Sequence, residues 1–204
     1  MKSLCKRTGI IVLIMIGLMI AVFAIIAAAI KISAATSKKV YRDISKYSLC
    51  RSGDDALEQF QNKGIDESIW PEKITDNMDA QDFLMIYYNP FDANYLGYLT
   101  VKYEESDFSE EVKRLEEYPS TEYMGNYGST GFQKYDVLAM NASDNGFVYA
   151  LTNRKDTIIY VEMIFPGYGM DIEYTKYIPE EYLPEGLDIS ADNPTRLKNI
   201  EKNN

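Results

Sequence analysis

GIIVLIMIGLMIAVFAIIAAAI, from Gly9 to Ile30, carries no charge and no strongly polar side chain. As a helix rising ~1.5 Å per residue it would be about 33 Å long, enough to cross a hydrocarbon layer of ~30 Å. Everything after it is polar, acidic and rich in tyrosine. The sequence therefore predicts a transmembrane signal-anchor helix over 9–30 and one water-soluble domain behind it. The short basic tail 1–8, MKSLCKRT, precedes the run.

Two fates of that run stand. Its length exceeds the ~7–15 apolar residues of a cleaved signal, which favours a retained single-pass anchor. Ser33-Ala34-Ala35 places small residues where signal peptidase cuts, and cleavage near Ala35 would release a secreted domain. Lysines and arginines flank both ends, so their count does not choose an orientation. Exporting a tail with Lys2, Lys6 and Arg7 beside the span is unfavourable, and the signal-like layout leads to export. The expected location is the cell membrane, tail inside and domain outside.

The chain has 204 residues, 21 Lys+Arg and 31 Asp+Glu, for a net charge of −10. Lys2, Lys6 and Arg7 are the only charges before residue 31, so the remainder has 18 cations against 31 acids and carries −13. Such a domain is repelled by phosphate backbones, and nucleic acid is excluded as its main ligand. There is no histidine, which removes Ser-His-Asp and Cys-His catalysis and His-ligated zinc. Cys5 and Cys50 lie on opposite sides of the apolar run and cannot pair within one chain if it spans a membrane. No cofactor and no metal is expected.

Beyond the run, 31–52 reads as a basic linker, 53–190 as the soluble domain and 191–204 as a frayed tail. Ser52 to Gly64 reads as a helix, with Leu57 and Phe60 on its apolar edge. Trp70, before Pro71, is expected to plug the domain edge, with a ligand platform as the alternative. β-rich runs occupy 82–89, 95–103, 135–142, 146–153 and 157–165. In 95–103, Leu99, Val101 and Tyr103 alternate with Tyr98, Thr100 and Lys102, as in a strand with one face in water. Phe108, Val112 and Leu115 mark a helix over 107–118, with Asp107 and Glu110 placed as a capping box. The order α-β-β-α-β-β-β lacks a βαβ repeat. It predicts an α+β fold: a two-layer domain, an antiparallel sheet of about five strands with helices on one face.

Few motifs bear on chemistry. Asn141 to Gly146 has oxygen donors at calcium-loop spacing, but Thr152 stands where a bidentate acid is needed, so Asp144-Asn145-Gly146 reads as a hairpin turn. Gly125, Gly128 and Gly131 lack the strand–loop–helix context of a phosphate site and read as a mobile loop, with a contact loop through Tyr118, Tyr123 and Tyr127 as the alternative. Glu162 lies mid-strand between apolar neighbours and beside Tyr160, where burial would raise its pKa; the plainer alternatives are a face open to water or a lysine partner. Tyr123, Tyr127, Tyr160 and Glu162 are the candidate binding surface, since tyrosine offers flat contact area with a hydroxyl.

From about Ile65 to Leu183, the wording DESIWPE, DFLMIYYNPFDANYLGYL, RLEEYPSTEYMGNYG and DTIIYVEMIF resembles a family of bacterial membrane-anchored cell-envelope proteins with no assigned activity. The resemblance implies a tethered, surface-exposed domain and transfers no catalytic residue. The expected function is a non-enzymatic module for a peptide, protein or glycan. The rivals are a carboxylate-dependent hydrolase outside the membrane and an accessory subunit of a larger membrane complex. Gly17, Ala21, Ala24 and Ala28 share one helix face, and with Cys50 on a flexible linker they suggest a homodimer.

Overall fold

The computed structural model describes residues 15–28 and 37–202, and the chain divides into two compact units at Lys38/Lys39. The first contributes helix α1, residues 15–28. All of its described residues are exposed, Phe23 and Ile25 among the most open. Among the described residues no helix is long and apolar enough to cross a membrane. The anchor expected over 9–30 falls partly on 9–14 and 29–30, outside the described residues, as do the tail 1–8 and residues 31–36 of the linker.

The second unit is α+β, built on one antiparallel sheet. Its strands are β1 (Lys39–Tyr41), β2 (Met78–Tyr88), β3 (Asn94–Tyr103), β4 (Asp136–Ser143), β5 (Gly146–Thr152) and β6 (Thr157–Ile164). Their order across the sheet is β1-β2-β3-β6-β5-β4. The sixth strand corrects the expected five. β1 comes from the stretch read as linker, where KVY is too short to show alternation but pairs with Met85 to Tyr87. Residues 39–52 thus belong to the domain. Cys50 is buried within it, not displayed on a flexible tether, and burial pushes its thiol up to about 12. A disulfide between copies through Cys50 would require the domain to open.

The alternation in β6 was read correctly, yet neither of its sides meets water. Ile158, Tyr160 and Ile164 face a core formed with Phe83, Met85, Leu99 and Val101, closed by Tyr47, Phe60, Ile69, Trp70 and helix α2 (Glu105–Glu116). Ile159, Val161 and Met163 face a second core with Leu84, Ile86, Leu96 and Tyr149. It is closed by Met170, Ile172, Tyr174, Ile178 and Ile189 of the C-terminal stretch. Three layers therefore replace the expected two, and β3 is buried on both faces except at Lys102. A strap without regular periodicity covers the second face, so only its proline and glycine content marked it as wrapping.

Local details shift for identifiable reasons. No helix forms over Ser52–Gly64; a single 3₁₀ turn, Glu58–Phe60, buries Phe60, because so short a segment gains more from burying Phe60 than from helical hydrogen bonds. α2 starts two residues before the expected Asp107. Its N-cap, Glu104, makes no side-chain cap bond, so the capping box is absent and Glu105 and Asp107 act only through the first-turn dipole. The frayed tail instead holds helix α3 (Pro194–Lys202), started by Asn193, whose Oδ1 accepts from Arg196 N at 3.0 Å, with Pro194 at the first position. Leu115 is the fully buried residue of α2. Leu115→Ala is expected to cost ~2–5 kcal/mol in urea unfolding, against below ~0.5 kcal/mol if the helix did not pack.

Candidate functional site

The site begins with Glu162. β6 places it between Gly97 of β3 and Val148 of β5, with no solvent exposure. A lone carboxylate there would be prohibitive, so cations must accompany it. Lys63 Nζ lies 2.6 Å from Glu162 Oε1 and Arg51 Nη1 lies 2.9 Å from Oε2. The same two cations hold Glu67 Oε1, at 2.6 Å from Lys63 and 2.9 Å from Arg51. Two acids and two bases thus close a neutral quartet inside the first core. The guanidinium of Arg51 lies over the Trp70 ring at 4.7 Å, and Lys63 Nζ lies 5.4 Å from the Phe60 ring centre.

Electrostatics splits the two carboxylates. Complete burial raises Glu162 above the usual range, with Lys63 pulling it back. Burial also acts upward on Glu67, but Lys63 and Arg51 outweigh it and hold that carboxyl at about 2. Glu67 also accepts from Ser52 N at 3.1 Å. Since its ordinary value of 4.5 is higher, the stability Glu67 supplies is fully present above about pH 4.5 and disappears as pH falls towards 2. Glu162, shifted the other way, offsets part of that loss. The contribution of Glu67 over this window is expected to be about 3 kcal/mol. Urea unfolding of the parent against Glu67→Gln checks it: the parent should lose more stability between pH 5 and about 2, and equal slopes would remove the assignment.

Beside the quartet a second chain of polar contacts runs to α2. Tyr103 and Tyr160 share a hydroxyl contact at 2.8 Å, and Tyr160 donates to Glu111 Oε1 at 2.6 Å. Arg114 donates to Glu111 and also to the carbonyls of Ser68 and Ile69, both at 2.8 Å. It thereby pins the loop that presents Trp70. Between that loop and α2 lies a cleft of about 610 Å³. Arg51, Lys73 and Arg114 line it against Glu67, Glu72 and Glu111, so its walls carry no net charge. Trp70 is also in the wall; it is 2% exposed, and its indole N–H has no acceptor among the described residues.

The four residues expected to form a binding surface do not come together. Tyr160 and Glu162 are fully buried in the first core. Tyr127 is buried in the second, its hydroxyl donating to Asp144 O at 2.8 Å, and Tyr123 packs beside that core. The glycine-rich segment that carries them is laced to the C-terminal strap: Thr130 N donates to Glu185 O and Glu185 N to Gly131 O. Gly128 and Gly186 approach so closely that a Cβ on Gly128 would meet Gly186 O at 2.7 Å. A strand-like zipper thus replaces the free contact loop. Trp70 does plug the domain edge as expected. Of the quartet, the sequence pointed to Glu162 and to a lysine partner. The i,i+4 spacing of Lys63 and Glu67 was the one local sign of the rest, and Arg51 gave none. Compared with protein-family models, curated proteins and solved structures, the chain gives no match.

Proposed function

We propose that this chain is a membrane-tethered domain outside the cell membrane that binds a peptide, protein or glycan without catalysis. The tether reading is supported by α1. Apolar side chains point outward all round it, an arrangement that suits lipid and not water, and apolar sequence continues from it to Gly9 and Ile30. The contact site moves from the tyrosines to the Trp70 cleft. The observation that carries this choice is a buried tryptophan in the cleft wall with an unanswered indole donor. Against the hydrolase reading, Glu67 and Glu162 are bridged by Lys63 and Arg51, whereas hydrolytic carboxyls face each other across an open cleft.

Two measurements test this. Protease added to intact cells is expected to remove the domain beyond Lys38; full protection would reverse the orientation. Trp70 is the only tryptophan of the chain and reports on the cleft directly. Its emission is expected to shift saturably with members of one class among short synthetic peptides and soluble oligosaccharides. No shift with any member of either set would refute the cleft as their site.

A further inference from the structure

The two ends of the sheet differ, and the difference starts with where the chain enters. Lys39, the first residue of β1, pairs with Tyr87, one residue from the end of β2. The chain therefore enters the sheet at the end that carries the β2–β3 turn. At the tip of that turn Phe91 is 77% exposed, more than any other large apolar residue described in this unit. The β4–β5 turn lies at the same end, because Ile164 pairs with both Tyr95 and Gly146. Lys38 and Lys39 stand there with Asp92 and Asp144, and Asp171, whose N–H donates to Asn94, is paired with Arg196, so the charges named balance at this end although the chain beyond residue 30 carries −13. It is the end of an acidic domain that an anionic surface does not repel.

We infer that this end of the sheet is seated on the bilayer, with Phe91 inserted at the level of the lipid headgroups. An exposed aromatic ring on a turn at the end where the chain enters the sheet suits the interfacial zone that such rings favour. The seat rests on the tether reading above. It also sets the direction of the cleft. Met78, which lines the cleft, begins β2 at the opposite end of the strand and pairs with Tyr103. The eleven residues of β2, at ~3.3 Å each, hold the cleft rim about 35 Å from the lipid-facing turn, open to partners in solution or on a facing surface.

The full chain is reconstituted in vesicles of mixed zwitterionic and anionic phospholipid, with a fraction of the lipids carrying a quencher high on the acyl chain. Phe91→Trp adds a reporter at the exposed tip, and the parent chain supplies the background of buried Trp70. Lys155→Trp, on the β5–β6 turn at the opposite end, is the control. The emission added by Phe91→Trp is expected to be blue-shifted and to lose at least half its intensity to the lipid quencher. That of Lys155→Trp is expected to respond only to aqueous acrylamide. If the two variants behave alike, both open to acrylamide and untouched by lipid quencher, the seat is wrong. A blue shift in whole membranes but not in vesicles would assign the tip to a protein partner and also overturn it. Flotation of the parent chain with carbonate-washed vesicles separates the two readings. A chain that fails to float defeats the tether and the seat together, whereas a floating chain with an unquenched Phe91→Trp defeats the seat alone.

Discussion

Glu162→Leu is expected to destabilise the chain by about 3–5 kcal/mol, the usual consequence of removing one member of a buried ion cluster. Leucine fits the apolar surroundings, so the cost does not arise from packing. It arises because Lys63 and Arg51 would keep only Glu67 between them, leaving one positive charge unbalanced inside the core. Lys63 has the less room to escape, since its side chain is fully buried whereas that of Arg51 is 8% exposed. Adding Lys63→Met restores neutrality as a single Arg51–Glu67 pair, and the double variant is expected to recover most of the loss. Urea unfolding in mild detergent measures both. A single variant within ~0.5 kcal/mol of the parent would mean that the quartet is not closed as described, and a double variant no better than the single would mean that charge balance is not the cause.

Gly146→Ala is expected to be comparably damaging, at roughly 3 kcal/mol or more. Gly146 opens β5 at φ +145, and a Cβ there would stand 2.3 Å from the carbonyl oxygen of Met163 on β6. The Cα of Ile164 would lie at 2.9 Å, and since both of these neighbours are backbone atoms of β6, neither yields cheaply. Asn145→Ala, one residue away and exposed, is expected to change stability by no more than ~0.5 kcal/mol. The contrast locates the requirement: Asp144 and Asn145 make the two-residue loop without positive φ, and the glycine is needed where the hairpin meets its neighbour strand. Equal effects at the two positions would contradict this.

The same turn shows what could be read from residues alone. Asp144-Asn145-Gly146 between two apolar runs specifies a hairpin locally, and the alternation in 157–165 assigns each side chain to a face. α2 was equally legible, through Phe108, Val112 and Leu115. What failed was any feature set by distant partners. β1 has three residues and exists because β2 offers an edge. The second cover of the sheet is irregular, so no period announced that Tyr98 and Val161 would be enclosed. The quartet joins Arg51 to Glu162 across 111 positions, a relation no spacing encodes. Tyr127 and Tyr160, which suggested a contact surface, prove to be core, their rings buried and their hydroxyls turned to a carbonyl and a carboxylate, because a phenol is as much an apolar body as a polar tip; Tyr123 is half-buried beside the second core.

The strap over the second face fixes the order in which this chain can become native. Leu84, Ile86 and Leu96 are made well before Met170, Ile172, Tyr174, Ile178 and Ile189, which cover them. β3 is likewise complete long before β6, its central neighbour, has been synthesised. Contacts so distant along the chain close slowly, and a bare apolar sheet awaiting its cover is prone to stick to others of its kind. A chain ending at Phe165 would hold all six strands and still be unable to hide one side of them. Closure of the second core therefore waits on residues 170–189, and until they dock one face of the sheet stays open.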